Sequence, residues 1–201
     1  MKSEQCSISG HSLQISKEIK VLGCWLDEQI TGEAQCMRAA GKAMKAAGAI
    51  KRSSKYLPLA DRDHLIKATS HPHMHYCQNA LYNPSKGALE YLEKAYNRSG
   101  RMITNLERTA PALEKLGWPA LPEIHRRKQA EFVMSIFKRR QPEVLQERLP
   151  GPLQGSMETR AIARGELWEP PATPGIGEKT FGVWAPRIIN EELRRQGPVP
   201  R

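Results

Sequence analysis

His64-Leu65-Ile66-Lys67-Ala68-Thr69-Ser70-His71-Pro72-His73-Met74-His75-Tyr76-Cys77, continuing through Gln78 to Tyr82, is the stretch on which the reading of this chain turns. Leu65, Ile66 and Ala68 belong to a helical run that Asp61 can cap. The residue before a proline is biased away from the helical region, so the run is expected to break or kink at His71-Pro72. Beyond the kink Met74, Cys77 and Leu81 share a helical face. A turn at Asn83-Pro84-Ser85 follows, with Ser85 as N-cap of a second helix. In that helix Leu89, Leu92, Tyr96, Ser99 and Ile103 step by three and four, as a core stripe does. The unit is a helical hairpin with polar residues at its kink.

Working outward on the N-terminal side, Glu33–Arg52 is predicted as one amphipathic helix. Cys36, Met37, Ala40, Met44 and Ala47 face inward, and Arg38, Lys42, Lys45 and Arg52 lie roughly opposite. Pro58 ends that unit. Before it, Ile19-Lys20-Val21-Leu22-Gly23-Cys24-Trp25-Leu26 reads as one strand with a close backbone contact at Gly23. Thr31-Gly32 is a turn, and residues 1–16 read as a short strand or hairpin end. On the C-terminal side Leu113, Leu116 and Trp118 make a short helix ended by Gly117 and Pro119. Pro122 opens a longer one to about Arg140, with Ile124, Phe132, Val133, Ile136 and Phe137 inward. Eight prolines fall in residues 150–201, so an extended tail is expected there, docking through Leu167, Trp168, Phe181, Trp184, Ile188 and Ile189.

The fold class is therefore mainly α: a short N-terminal strand or hairpin (1–32), a small helical bundle (33–145) and an extended Pro-rich C-terminal tail (146–201). At 201 residues the chain can bury one real core, but 39% hydrophobic content with 15 Gly and 15 Pro leaves part of it irregular. Net charge is +10, with a sequence pI near 9.6. The excess is concentrated. Residues 37–67 hold eight Lys/Arg against Asp61 and Asp63, whereas residues 1–36 hold three against five acids. Polyanions are the partners such a surface favours, unless the basic face is merely solvated.

The chemical motifs are few. His71, His73, His75 and Cys77 carry metal-ligating groups, but alternate residues diverge by about 200° on a helix and would not converge on one ion. The array reads as structural, and neither metal nor cofactor is expected. Cys6, Cys24, Cys36 and Cys77 contain no pair at zinc-ribbon spacing. The only aspartates are Asp27, Asp61 and Asp63, and the last two suit a helix start better than a metal pair. No phosphate-binding loop, nucleophile elbow or zincin motif occurs. Met1–Ser16 lacks an apolar signal core and there is no run of 18 apolar residues, so an intracellular chain with no membrane partner is expected. Tyr56 after Lys55 and Tyr96 before Arg98 could stack on bases, or be half-buried helix residues.

The order of segments carries a resemblance. Ile19-Lys20-Val21-Leu22-Gly23-Cys24-Trp25-Leu26-Asp27 is followed by a basic, Ala-rich helix ending Gly48-Ala49-Ile50-Lys51-Arg52, then by Lys55-Tyr56-Leu57-Pro58. Next come Lys67-Ala68, His71-Pro72-His73-Met74-His75-Tyr76-Cys77, Leu92-Glu93-Lys94-Ala95-Tyr96-Asn97-Arg98, Arg101-Met102-Ile103-Thr104 and Leu113-Glu114-Lys115-Leu116-Gly117-Trp118-Pro119. Phe181-Gly182-Val183-Trp184-Ala185-Pro186-Arg187-Ile188-Ile189-Asn190 closes the series. Across residues 12–195 this resembles the thumb and tail that follow the polymerase palm in LINE-type (non-LTR) retrotransposon reverse transcriptases. Ile189 stands where the family usually has tryptophan, and Ser70 where it usually has Leu or Val, a departure suggesting a weakened copy. The fingers, the palm with its paired aspartates and the endonuclease domain have no counterpart in these residues. The resemblance implies a nucleic-acid-binding fragment that contacts a primer–template without being an enzyme itself. Its partners would be an RNA or DNA duplex backbone and an upstream palm; no oligomeric state is implied. The contact residues would be Arg38, Lys42, Lys45, Lys51, Arg52, Lys55, Arg98 and Arg101. The competing expectation is a small helical metal-binding or structural protein with no nucleic-acid role.

Overall fold

A computed structural model of the chain describes residues 6–8, 11–13, 16–79, 84–155, 159–172 and 177–196. The expectations for Leu81, Tyr82 and Asn83 lie outside these residues. The fold is mainly α, preceded by short antiparallel hairpins, and divides into two compact units. The first holds residues 1–76 and 84–103, the second residues 77–83 and 104–201. By contacts the chain divides near residue 103, while the sequence suggests divisions at residues 32 and 145. The N-terminal hairpin packs with the first helices rather than forming a segment of its own.

In the first unit β1 (Cys6–Ile8) pairs with β2 (His11–Leu13), and β3 (Glu18–Val21) with β4 (Cys24–Asp27). The single strand expected over Ile19–Leu26 is therefore two. Leu22 and Gly23, at φ 48° and 86°, form the tight connection that the right-handed twist of a hairpin favours. Leu22 is a poor advertisement for such a turn, which hid it. The close approach expected at Gly23 is present: a Cβ there would sit 3.2 Å from the Tyr76 hydroxyl, which donates to the Leu22 carbonyl. Asp27 then ties the next turn, accepting from the amides of Thr31 (2.7 Å) and Gly32 (2.9 Å).

Helix α1 spans Glu33–Arg52, as its periodicity predicts. Its buried stripe is shifted from the expected one: Cys36, Ala39, Ala40, Ala43, Ala47 and Ile50 are inside, while Met37 is exposed and Met44 half-buried. Small side chains decide this, because they let neighbouring helices approach the α1 backbone closely. Helix α2 is Leu59–Thr69 and α3 is His71–His75. The break falls at Ser70, one residue before the expected site, so that Pro72 sits in the first turn of α3, where a missing N–H costs nothing. Pro58 occupies the N-cap position of α2 and no side chain caps it; Asp61, expected there, is instead in the first turn, where its charge suits the helix dipole.

Ser70 is fully buried and its hydroxyl donates to the Ala43 carbonyl at 3.0 Å. This gives the residue a packing role of its own in the α1 contact. Ser70→Leu is expected to overpack that contact and destabilise the first unit by about 1–3 kcal/mol, read as a lower urea midpoint. Helix α4 (Lys86–Thr104) starts at Ser85, whose hydroxyl accepts the Ala88 amide (3.1 Å), and it buries Ala88, Leu92, Ala95, Tyr96, Ser99 and Ile103. It meets α3 where the Tyr96 and His71 rings lie 5.2 Å apart, and α2 where Arg62 donates to the Ile103 carbonyl.

In the second unit α5 (Thr109–Leu116) ends at Gly117, φ 62°, with Trp118 donating back to the Leu113 carbonyl. Helix α6 is Leu121–Arg139, followed by α7 (Glu143–Gln146) and α8 (Arg160–Ala163). Between Pro150 and Thr180 the described chain is mostly irregular, as its prolines predict, but order returns further on. Phe181–Gln196 is a 16-residue helix, α9, whose Trp184, Ala185, Ile189 and Leu193 are buried with Val133 and Met134 of α6 and with Leu167. The expectation of a loose tail is corrected for this segment. Its apolar residues at 181, 184, 185, 188, 189 and 193 follow a helical period, and one internal Pro186 does not cancel what that stripe buries. Gly182 is needed: a Cβ there would meet the Arg148 carbonyl oxygen at 2.8 Å.

Candidate nucleic-acid interface

The cations proposed for a phosphate backbone sit in several structural contexts. Lys42, Lys45 and Arg52 are exposed on the outer face of α1, within about 80° of arc and about 15 Å along the axis by helix geometry. The buried alanines opposite hold this face outward. Among the described residues neither lysine has an ion-pair partner. Lys55 is exposed in the turn after α1, its ammonium over the Tyr56 ring, 4.7 Å from the centroid.

Arg38 is placed differently. Its guanidinium is 2.7 Å from the Glu18 carboxylate, 4.1 Å from the Trp25 ring and 3.2 Å from the Ala34 carbonyl. It clamps the β3–β4 hairpin to α1, so its charge is already answered and it drops out of the row. The Trp25 main-chain amide also donates to Gln35 at 3.1 Å. Lys51 is half-buried at the last turn of α1, where a cation suits the helix dipole. On α4 Arg98 is exposed and Arg101 half-buried. Lys42, Lys45 and Arg52 thus share one exposed face of α1, Lys55 is exposed in the turn that follows it, and Arg38 is paired with Glu18.

Among the described residues no three His, Cys, Asp or Glu side chains gather as a metal would require. His71 is buried and packs edge-on to His75 at 6.0 Å, while His73 is exposed, the divergence that helical spacing dictates. Burial pushes the Cys36 thiol up to about 11, which leaves it a core residue rather than a nucleophile.

The second unit has an open groove of about 910 Å³. Arg126, Arg127, Lys138 and Arg195 line it, but so do Glu123, Glu131 and Glu192. Arg127 reaches Glu131 at 3.8 Å, and Arg195 reaches Glu191 and Glu192 at 2.7 and 3.1 Å. Its signs are mixed, so it lacks the single-sign field of the α1 row. A cationic run, Lys138-Arg139-Arg140, is exposed at the end of α6, with Lys138 itself on the groove; a helix C-terminus explains it as well as a ligand would. No helix among the described residues is long and apolar enough to cross a membrane. No protein-family model, curated protein or solved structure matches the chain.

Proposed function

We propose that this chain is a nucleic-acid-binding module that grips a phosphate backbone, and that it does no chemistry itself. The observation that carries the reading is the exposed row of Lys42, Lys45 and Arg52 on a helix whose opposite face is locked into a core. A second support is the order of segments resembling the thumb and tail of LINE-type reverse transcriptases. On that reading the module places a primer–template for an upstream polymerase palm, and the paired carboxylates for two-metal chemistry would come from the palm. Recognition would be independent of sequence, since the row addresses phosphates rather than groove edges.

The row predicts a salt dependence. Each phosphate neutralised releases a counterion, so three contacts give a slope of log affinity on log salt of about −2.7 on duplex. Changing Lys42, Lys45 and Arg52 together to Gln should flatten the slope by that amount in a fluorescence-anisotropy titration at several salt concentrations. Unchanged affinity and slope in the triple variant would mean that the face is only solvated.

A further inference from the structure

Tyr56 is the most exposed aromatic ring among the described residues. It is 76% exposed, against 52% for Tyr76 and Trp168 and 40% for Tyr91. It sits in the turn of residues 53–56 that directly follows α1. The turn is ordered: Ser53 donates to Ile50, Ser54 to Lys51 and Tyr56 to Ser53, at 3.0–3.1 Å. The ring is therefore carried on a fixed backbone while burying little of its own surface.

Its charged neighbours in the preceding residues are all basic. Lys55 lies 4.7 Å from the ring centroid, and Arg52 is one turn back along the chain, exposed. The nearest acid in sequence is Asp61, in the first turn of α2. With the Lys55 ammonium over one face, the other face of this 76% exposed ring is what remains for a base. A ring placed so, after a row that follows a phosphate backbone, has the parts of a single-strand site.

We infer that Tyr56 is a stacking platform for one unpaired nucleobase, and that the strand bound by the α1 row is single-stranded, or frayed, where it passes the end of the helix. This rests on the proposal that the row binds phosphates. A base paired inside a uniform duplex has both faces stacked and cannot use the ring. A strand end, gap or junction can. The ligand class is thus a nucleic acid with at least one unstacked base beside its backbone contact, with no preference for which base, since every base has a π face.

The test uses the full chain and two fluorescent ligands of equal length, an oligothymidylate and a blunt DNA duplex. Tyr56→Ala should weaken the oligothymidylate by about tenfold and leave the duplex within about twofold, since a stacked base contributes on the order of a factor of ten. Tyr56→Trp should hold or improve single-strand affinity, and the bound base should quench the tryptophan. Tyr56 is too exposed for either change to unfold the chain, which circular dichroism checks. The triple Gln variant of the row separates the two ideas. If it weakens both ligands while Tyr56→Ala weakens neither, stacking is refuted and the phosphate reading stands. Equal losses on both ligands from Tyr56→Ala also refute stacking, because the ring is then acting on the duplex. A parent chain that binds neither ligand overturns both proposals.

Discussion

Trp184→Ala is expected to destabilise the second unit by about 3–5 kcal/mol, the usual cost of removing a large aromatic from a packed core. Trp184 is 3% exposed and meets Phe181 edge-to-face, with ring centroids 5.2 Å apart. Around it are Val133 and Met134 from α6, Leu167 from the irregular segment, and Ile189 and Leu193 from its own helix. Three parts of the chain well apart in sequence therefore lose contact at once. Hydrogen exchange followed by mass spectrometry is the direct measurement. Amides of residues 121–139 and 181–196 should exchange together, about 100-fold faster or more than in the parent, because the two helices share one core. If the 181–196 amides already exchange freely in the parent, that helix is not part of the core and the packing described for it is wrong.

Asn190→Ala should cost about 2–4 kcal/mol, because two buried main-chain groups lose their partner together. Asn190 is 1% exposed; its side-chain carbonyl accepts the Leu167 amide at 2.8 Å and its amide donates to the Leu167 carbonyl at 2.9 Å and to Glu169 at 2.9 Å. Beside it Glu166, also buried, accepts from Arg194 and from Arg164, each at 2.7 Å. The bond from Arg194 holds the Glu166 carboxyl below its usual range; burial opposes this and the Arg164 bond reinforces it. The sign follows. A carboxylate with a lowered folded pKa contributes stability above its unfolded value of about 4.3, and that contribution is lost as pH falls through the folded value. His125 adds an earlier limb. Burial, aided by Lys128, lowers its imidazole to about 4, so below about 6.5 the unfolded chain takes up a proton that the folded chain refuses. Urea midpoints should decline from about pH 6.5 toward 4, then fall further below it. His125→Gln should remove the first limb and Glu166→Gln the second, while Asn190→Ala lowers the whole curve with its shape kept. A curve flat from pH 7 to 4 in the parent would refute the His125 assignment.

Much of the helical framework was legible because it rests on local rules. The bounds of α1 follow from one amphipathic period between a Gly turn and a basic last turn. Ser85 as N-cap and Gly117 as the left-handed stop follow from their side chains alone. Helix α9 was equally present in its apolar spacing, but eight prolines over residues 150–201 argued for disorder in the aggregate and masked it. The β3–β4 hairpin went unread because Leu22 is not the residue type that a turn with two positive φ angles selects.

The site divides along the same line. That α1 carries a basic face, and that Lys42, Lys45 and Arg52 lie on it, was determined by the sequence through helical geometry. That Arg38 on the same face is ion-paired was decided only by the tertiary structure, because Glu18 lies twenty residues earlier and Trp25 thirteen, on the β3–β4 hairpin. The identity of the buried stripe was settled the same way. On the wheel Met37 and Met44 flank the Cys36, Ala40 and Ala47 stripe on one side and Ala39, Ala43 and Ile50 flank it on the other, and the alanine flank is the buried one, with the Ser70 hydroxyl on the Ala43 carbonyl. Local spacing fixes which residues share a face, since a helix turns by about 100° per residue wherever it occurs. Which charges remain available to a partner depends on contacts between residues far apart in the chain, and those exist only once the hairpin has docked on α1.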